Sequence, residues 1–514
     1  MEPWFIFLAS LLIALLIKTI FNLFSTPNLS TLPPGPTPLP IIGNTHLLLR
    51  SPTDLFKYVK TLHAKYGPVL TLYIGSRPNV FVSTRVLAHE ALIHQGIAFS
   101  GRPPILPPIK FSHRGKEVVS SAMYGRTWRL LRSNLTSNFL SNARVKSYSN
   151  ARKWALRVLI QNLQHHSSEE KSPILVKDHV KYMMFCLVVC LCFGEKINDQ
   201  RIKKLIEIQE VLLDLSFSPL LNFWPSWLGK IIFFMKWRTL SKFCQEQDNI
   251  LVPLFESMKK LIVTTEKGGP EGSFVPYVDT LLEMQVTEAD GSIGKLEEVH
   301  VNSLCSEFVV SSTHSTSATL QWIMANLVKY RHIQEKLYLE IKKVVGSEAE
   351  EVKEEDLQKI PYLRAVILEG LRRHPLGKFI LPHAVTEDTK LNGYTIPKDS
   401  TAVFVMGEVS LDPQVWDNPL EFNPERFISE KGEAMFDITG SKEIKMMPFG
   451  VGRRMCPGYG LAMLHLEYFV GNMVWNFEWV PVDGDKVDLT EKLQLMILEM
   501  KHPLKANILP RLRC

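Results

Sequence analysis

The chain has 514 residues, 46% of them hydrophobic and 22% charged, an ordinary globular balance with length enough to bury a large core around an apolar cavity. A formal net charge of +7 suits an anionic membrane face or an acidic protein partner, and the lack of a dense Lys/Arg block interleaved with aromatics excludes a nucleic-acid partner. The seven cysteines are few and odd in number; neither fact fits a disulfide framework, so the bulk of the chain is expected in a reducing compartment.

Taken in chain order, the first predicted element is an apolar run from Trp4 to Ile17 that resumes after Lys18 as TIFNLF. It totals about 20 residues, enough to span a bilayer as a helix. Lys18 near its end can snorkel. Glu2 precedes the run and no A-x-A site follows, which favours an uncleaved anchor over a signal peptide. Basic residues beyond the run place the body on the cytoplasmic side. Pro33-Pro34-Gly35-Pro36, Pro38 and Pro40 then form a stiff extended elbow. The expected organisation is an anchor at 1–24, an elbow at 25–40 and one catalytic domain at 41–514.

The body reads as mainly α with a small β region. Pro68 to Thr84 alternates around Gly75-Ser76 and predicts a hairpin. Cys186, Cys190 and Cys192 sit in MMFCLVVCLCF without zinc partners and are expected as buried thiols. Lys267 to Phe274 is a Gly/Pro loop. Glu297 to Tyr330 predicts one long helix with a polar middle, and Ile360 to Arg373 a shorter one ended by His374-Pro375.

The most informative stretch is Pro448-Phe449-Gly450-Val451-Gly452-Arg453-Arg454-Met455-Cys456-Pro457-Gly458, which fits F-x-x-G-x-R-x-C-x-G. A haem iron needs one axial protein ligand, and a thiolate pushes electron density that favours O–O cleavage. Glycines let the backbone turn tightly and approach a macrocycle. Backbone N–H groups aimed at the sulfur temper its donation, and the Arg454 fork suits a propionate. The helix predicted to begin after Gly458 would stabilise the thiolate at Cys456.

From about Pro33 to its end, the chain resembles the cytochrome P450 superfamily. PPGP, W-x-x-x-R, PERF and FGVGRR together resemble the plant microsomal A-type branch, and CSEF and LQWIMANLVKY resemble plant family 89. The resemblance implies the cytochrome P450 fold behind an N-terminal transmembrane helix, with haem b held by Cys456. It implies that Trp128, Arg132, His383, Arg454 and Phe449 contact the haem, and that Glu369, Arg372 and Arg426 form a buried charge triad bracing its core. It also implies NADPH-cytochrome P450 reductase as electron donor; no G-x-G-x-x-G follows a strand, so the reductase is a separate protein. O2, an organic substrate and membrane lipid complete the partners, at the endoplasmic reticulum membrane, single-pass, with the catalytic domain facing the cytoplasm. Substrate-facing segments fall near Pro103 to Met123, Leu212 to Phe234, the start of the long helix, and Leu376 to Leu381, with Val309, Val310 and Phe379 as wall candidates.

One motif departs from the family. Where the long helix should carry [AG]-G-x-[DE]-T-[TS], this chain has Ser311-Ser312-Thr313-His314-Ser315-Thr316. Ser312 adds bulk where a glycine lets the helix open. His314 can shuttle protons but cannot supply a carboxylate's charge. Ser315 keeps the hydroxyl and loses a methyl. Three outcomes stay open: monooxygenation of a largely apolar plant specialised metabolite through an altered relay; an atypical reaction such as desaturation, cyclisation, coupling or isomerase/lyase chemistry; or haem binding with little turnover.

Overall fold

The computed structural model describes residues 3–24, 32–39, 42–47, 52–167, 172–222, 226–264, 274–287, 293–482, 486–494 and 497–511. The Gly/Pro loop expected at Lys267 to Phe274 lies, except for Phe274, outside them, as does part of the elbow. The apolar N-terminal run forms a helix, Pro3–Phe24, on which Trp4, Phe7, Leu12 and Ile17 are exposed. Among the described residues no helix is long and apolar enough to cross a membrane.

Chain contacts divide the fold into two compact units. The first is built from Met1–Pro103, Lys378–Ser410 and Thr439–Met455. It holds a four-stranded sheet in the order Val69–Ile74, Arg77–Val82, Thr401–Phe404, His383–Ala384. The predicted hairpin pairs antiparallel with Val69 opposite Val82, and its second strand pairs parallel with Thr401–Phe404. The proline elbow runs along the first strand: Thr71 N–H donates to the Pro34 carbonyl at 2.9 Å. A Cβ on Gly35 would lie 2.0 Å from the Thr71 oxygen, so the close approach requires glycine there.

The second unit, Pro104–Gly377, Leu411–Ile438 and Cys456–Cys514, is mainly helical. Its axis is the helix Glu298–Lys329, as long as the sequence predicts. The apolar helix Val176–Phe193 packs along it and buries Cys186, Cys190 and Cys192 as free thiols. Helices Pro361–Arg373 and Tyr459–Asn476 also pack on the long helix. Gly370 allows the first of these contacts, since a Cβ there would meet Ile323 Cγ1 at 2.5 Å. The hairpin Glu491–Gln494/Ile497–Met500 receives the Trp322 indole N–H at the Leu498 carbonyl, 2.7 Å.

Candidate active site

Within the first unit the glycine-rich loop turns on two residues of positive φ, Gly450 (65°) and Gly452 (72°). A Cβ on Gly452 would fall 2.2 Å from the Leu92 carbonyl oxygen, whereas one on Gly450 would meet nothing within 4 Å. The short 3₁₀ turn Gly452–Arg454 follows and buries Arg454, whose Nε donates to the Ser100 carbonyl at 2.7 Å.

His383, Arg102 and Arg454 share this region. His383 is buried, and its Nδ1 lies 2.6 Å from the Phe99 carbonyl oxygen. A carbonyl only accepts, so Nδ1 carries the proton and Nε2 keeps its lone pair. Burial first, then the positive charge of Arg102 and Arg454, pushes the His383 pKa down to about 3. His383 is therefore neutral, and it could donate to a carboxylate through Nε2 only as an imidazolium. Sequence reasoning overlooked Arg102, which is buried and donates to the Leu381 and Pro382 carbonyls at 3.0 and 2.8 Å. A lone arginine before two prolines carries no spacing signal.

In the second unit Cys456 is half-buried, just ahead of helix Tyr459–Asn476. Burial pushes its thiol above the usual value, while the Gly458 backbone N–H and the Arg132 guanidinium pull it back. Arg132 and Trp128 lie on one face of helix Arg126–Ser133, four residues apart. A Cβ at Gly458, whose N–H acts on the sulfur, would meet nothing within 4 Å, which leaves the backbone there open to a large planar group.

Glu369, Arg372 and Arg426 come together. Arg372 spans both carboxylate oxygens, Nε to Oε2 at 2.6 Å and Nη2 to Oε1 at 2.8 Å, with both side chains fully buried. Arg426 Nε and the Asn423 backbone N–H share Oε1 at 3.2 and 2.8 Å. Arg372 also donates to the Pro419 and Glu421 carbonyls at 2.8 and 3.0 Å.

The altered motif lies in the middle of the long helix. Ser315 Oγ donates to the Ser311 carbonyl at 2.6 Å, Thr313 to Val309 at 2.8 Å, Ser317 to Thr313 at 2.7 Å and Thr319 to Ser315 at 3.0 Å. These are back-bonds to the preceding turn, so the Ser315 proton is engaged within its own helix. His314 packs edge-on against Phe185 of the neighbouring helix, ring centroids 5.6 Å apart. Its Nε2 is buried with no hydrogen-bond partner among the described residues. Burial, then Lys181 and Lys177, pushes its pKa down to about 3; it is neutral at physiological pH. Of the wall candidates, Val309 is fully buried, Val310 keeps accessible surface, and Phe379 packs edge-on to Phe56 and Phe81.

The family described as Cytochrome P450 matches residues 33–508. Cytochrome P450 89A9 of Arabidopsis thaliana is 43% identical over 99% of this chain and 98% of that relative. Costunolide synthase of Cichorium intybus is 30% identical over 98% of each. This chain belongs to the cytochrome P450 family. The fold agrees with a zebra fish cytochrome P450 structure with progesterone at a TM-score of 0.74 and 24% identity, covering 90% of this chain and 100% of that one.

As a P450, the chain is a monooxygenase-type oxidoreductase with haem b as its cofactor. Its own residues fit that group. The open glycine edge at Gly458 suits a macrocycle, and the Arg132 guanidinium that acts on the Cys456 sulfur suits its carboxylates. A thiol kept protonated by burial ionises when a metal ligates it.

Proposed function

We propose that this P450 carries out monooxygenation of a largely apolar plant specialised metabolite, with O2 and electrons from NADPH-cytochrome P450 reductase. The observation that carries the reading is Cys456, with the Gly458 N–H and the Arg132 guanidinium both acting on its sulfur. When bound, the haem supplies iron for oxygen activation, and the thiolate tunes it. Cys456 would supply the thiolate that ligates its iron. Trp128 and Arg132, on the helix whose guanidinium acts on the Cys456 sulfur, would hold the haem carboxylates, a role the family resemblance also gives to Arg454 and Phe449. His383 joins them only when protonated. Glu369, Arg372 and Arg426 brace the core from which Cys456 projects. The helix Pro3–Phe24 anchors the chain in the endoplasmic reticulum membrane, in contact with lipid and with the catalytic domain in the cytoplasm. In this reading residues 1–24 are anchor, 25–40 elbow and 41–514 catalytic domain.

A second reading, an atypical outcome such as desaturation, cyclisation, coupling or isomerase/lyase chemistry, draws support from the distal helix. His314 is neutral and turned onto Phe185, and the Ser315 hydroxyl proton is engaged. Proton delivery through Ser312, His314 and Ser315 then has to recruit water.

The reduced, CO-treated protein should show a thiolate-type Soret shift that Cys456→Ser abolishes; its absence in the unaltered protein would overturn the haem-thiolate assignment. Turnover under isotopically heavy O2 should place label in the product. Product without label would reject oxygen insertion and favour the second reading. Restoring the acid and glycine together (His314→Asp, Ser312→Gly) should raise oxygenase turnover if the altered relay limits the rate.

A further inference from the structure

The segment from His113 to Ser121 is stitched to one face of the long helix. Lys116 Nζ pairs with Glu297 at 2.7 Å, His300 Nε2 lies 2.6 Å from the Glu117 carbonyl, and Ser303 Oγ donates to the His113 carbonyl at 3.1 Å. Glu307 then accepts two consecutive backbone N–H groups, Val119 to Oε2 at 2.9 Å and Ser120 to Oε1 at 2.8 Å. The four helix residues are spaced three, three and four apart, the spacing of one helical face. The last and strongest stitch uses both oxygens of a charged acceptor, the type of hydrogen bond worth most. Val118 and Ala122 on either side are fully buried, so the fastened turn is also packed in place.

We propose that Glu307 is a positioning residue for the oxidation reaction: it fixes residues 118–121 to the long helix one turn before Ser311, as a rigid wall that sets which substrates present which bond. The inference rests on the reading above that residues 103–123 face the substrate. The relaxed alternative is a segment that opens as a lid. Glu307 makes that costly, because opening would strand a carboxylate from two amides at once. Glu307 was legible in the sequence only as one acid inside the apolar stretch CSEFVV.

The test compares haem-loaded, full-length protein with its Glu307→Ala and Glu307→Gln variants. Hydrogen exchange at the Val119 and Ser120 amides should rise about tenfold in Glu307→Ala, the factor matching loss of one charge-assisted hydrogen bond. The rise should be smaller in Glu307→Gln, whose amide oxygen still accepts one bond. Imidazole and 4-phenylimidazole, titrated by the Soret band, serve as small and bulky iron-coordinating probes. The ratio of their two Kd values should change about threefold or more, while the Kd for imidazole alone moves less than about twofold. Unchanged exchange would show that Glu307 does not fasten the segment. Raised exchange with an unchanged ratio would show that the segment is not a substrate wall. Loss of haem from both variants would make Glu307 a folding residue and overturn the proposal. Wild-type turnover without oxygen label would refute the monooxygenase reading and leave both measurements standing.

Discussion

Two glycines of the cysteine loop have similar backbone angles and different surroundings. Gly450 and Gly452 both take positive φ, but only Gly452 abuts a carbonyl, that of Leu92. Gly450→Ala should therefore cost about 1 kcal/mol, the left-handed penalty alone. Gly452→Ala adds a steric clash and should cost about 3 kcal/mol or more. Thermal unfolding and haem content of the two variants check this ordering; equal losses would contradict it. The demand for glycine was readable from the motif, but the difference between its two glycines was not. Leu92 is remote in sequence, and nothing in the string F-G-V-G says which Cβ would strike it. The same holds for His383, whose tautomer is set by the Phe99 carbonyl on another segment. His314 was recognisable as a departure from the family, and its packing on Phe185 was not.

At the scale of elements, the charge triad joins helix Pro361–Arg373 to the 3₁₀ turn Pro424–Phe427. Every oxygen of Glu369 is occupied, and Arg372 has carbonyl partners besides. Glu369→Ala removes the only acid of the triad and leaves the fully buried Arg372 without it. It should destabilise the protein by about 3–5 kcal/mol, as breaking one side of a buried pair does. Urea midpoints with unchanged m values check the figure. A loss below about 1 kcal/mol would mean that the triad behaves as an exposed pair. The E-x-x-R spacing disclosed the first pair, because residues three apart on a helix meet. The hairpin Pro68–Thr84 and both predicted helices were similarly legible, since each is set by local periodicity and punctuation. The parallel pairing of Arg77–Val82 with Thr401–Phe404 was not, because strand partners far apart in sequence leave no local pattern.

For the whole molecule, the buried histidines set the response to acid. Burial lowers the pKa of His113 to about 4, and of His314 and His383 to about 3. In the unfolded chain each returns to about 6.5. The unfolded state then binds protons first as pH falls, so the stability these groups contribute is fully present above about pH 6.5. It is lost progressively as the pH drops toward their folded values. Each such histidine contributes at most about 1.4 kcal/mol per pH unit across that window. Stability should fall steeply between about pH 6 and 4, and His314→Phe should flatten the slope by about one proton. Urea midpoints measured at several pH values report it directly; an unchanged slope would mean that His314 titrates normally in the folded protein.

The fit of Gly370 against Ile323 has a mechanical consequence. With the Trp322 indole fixed to the Leu498 carbonyl and its ring stacked on His374 at 4.0 Å, the far half of the long helix is clamped. The near half is fastened at Ser303 and Glu307. Between the clamps, the hydroxyls of Ser311, Thr313, Ser315, Ser317 and Thr319 bond back to their own helix. Any flexing of this rod is thus channelled into the turns that carry the serine substitutions, which become its fulcrum.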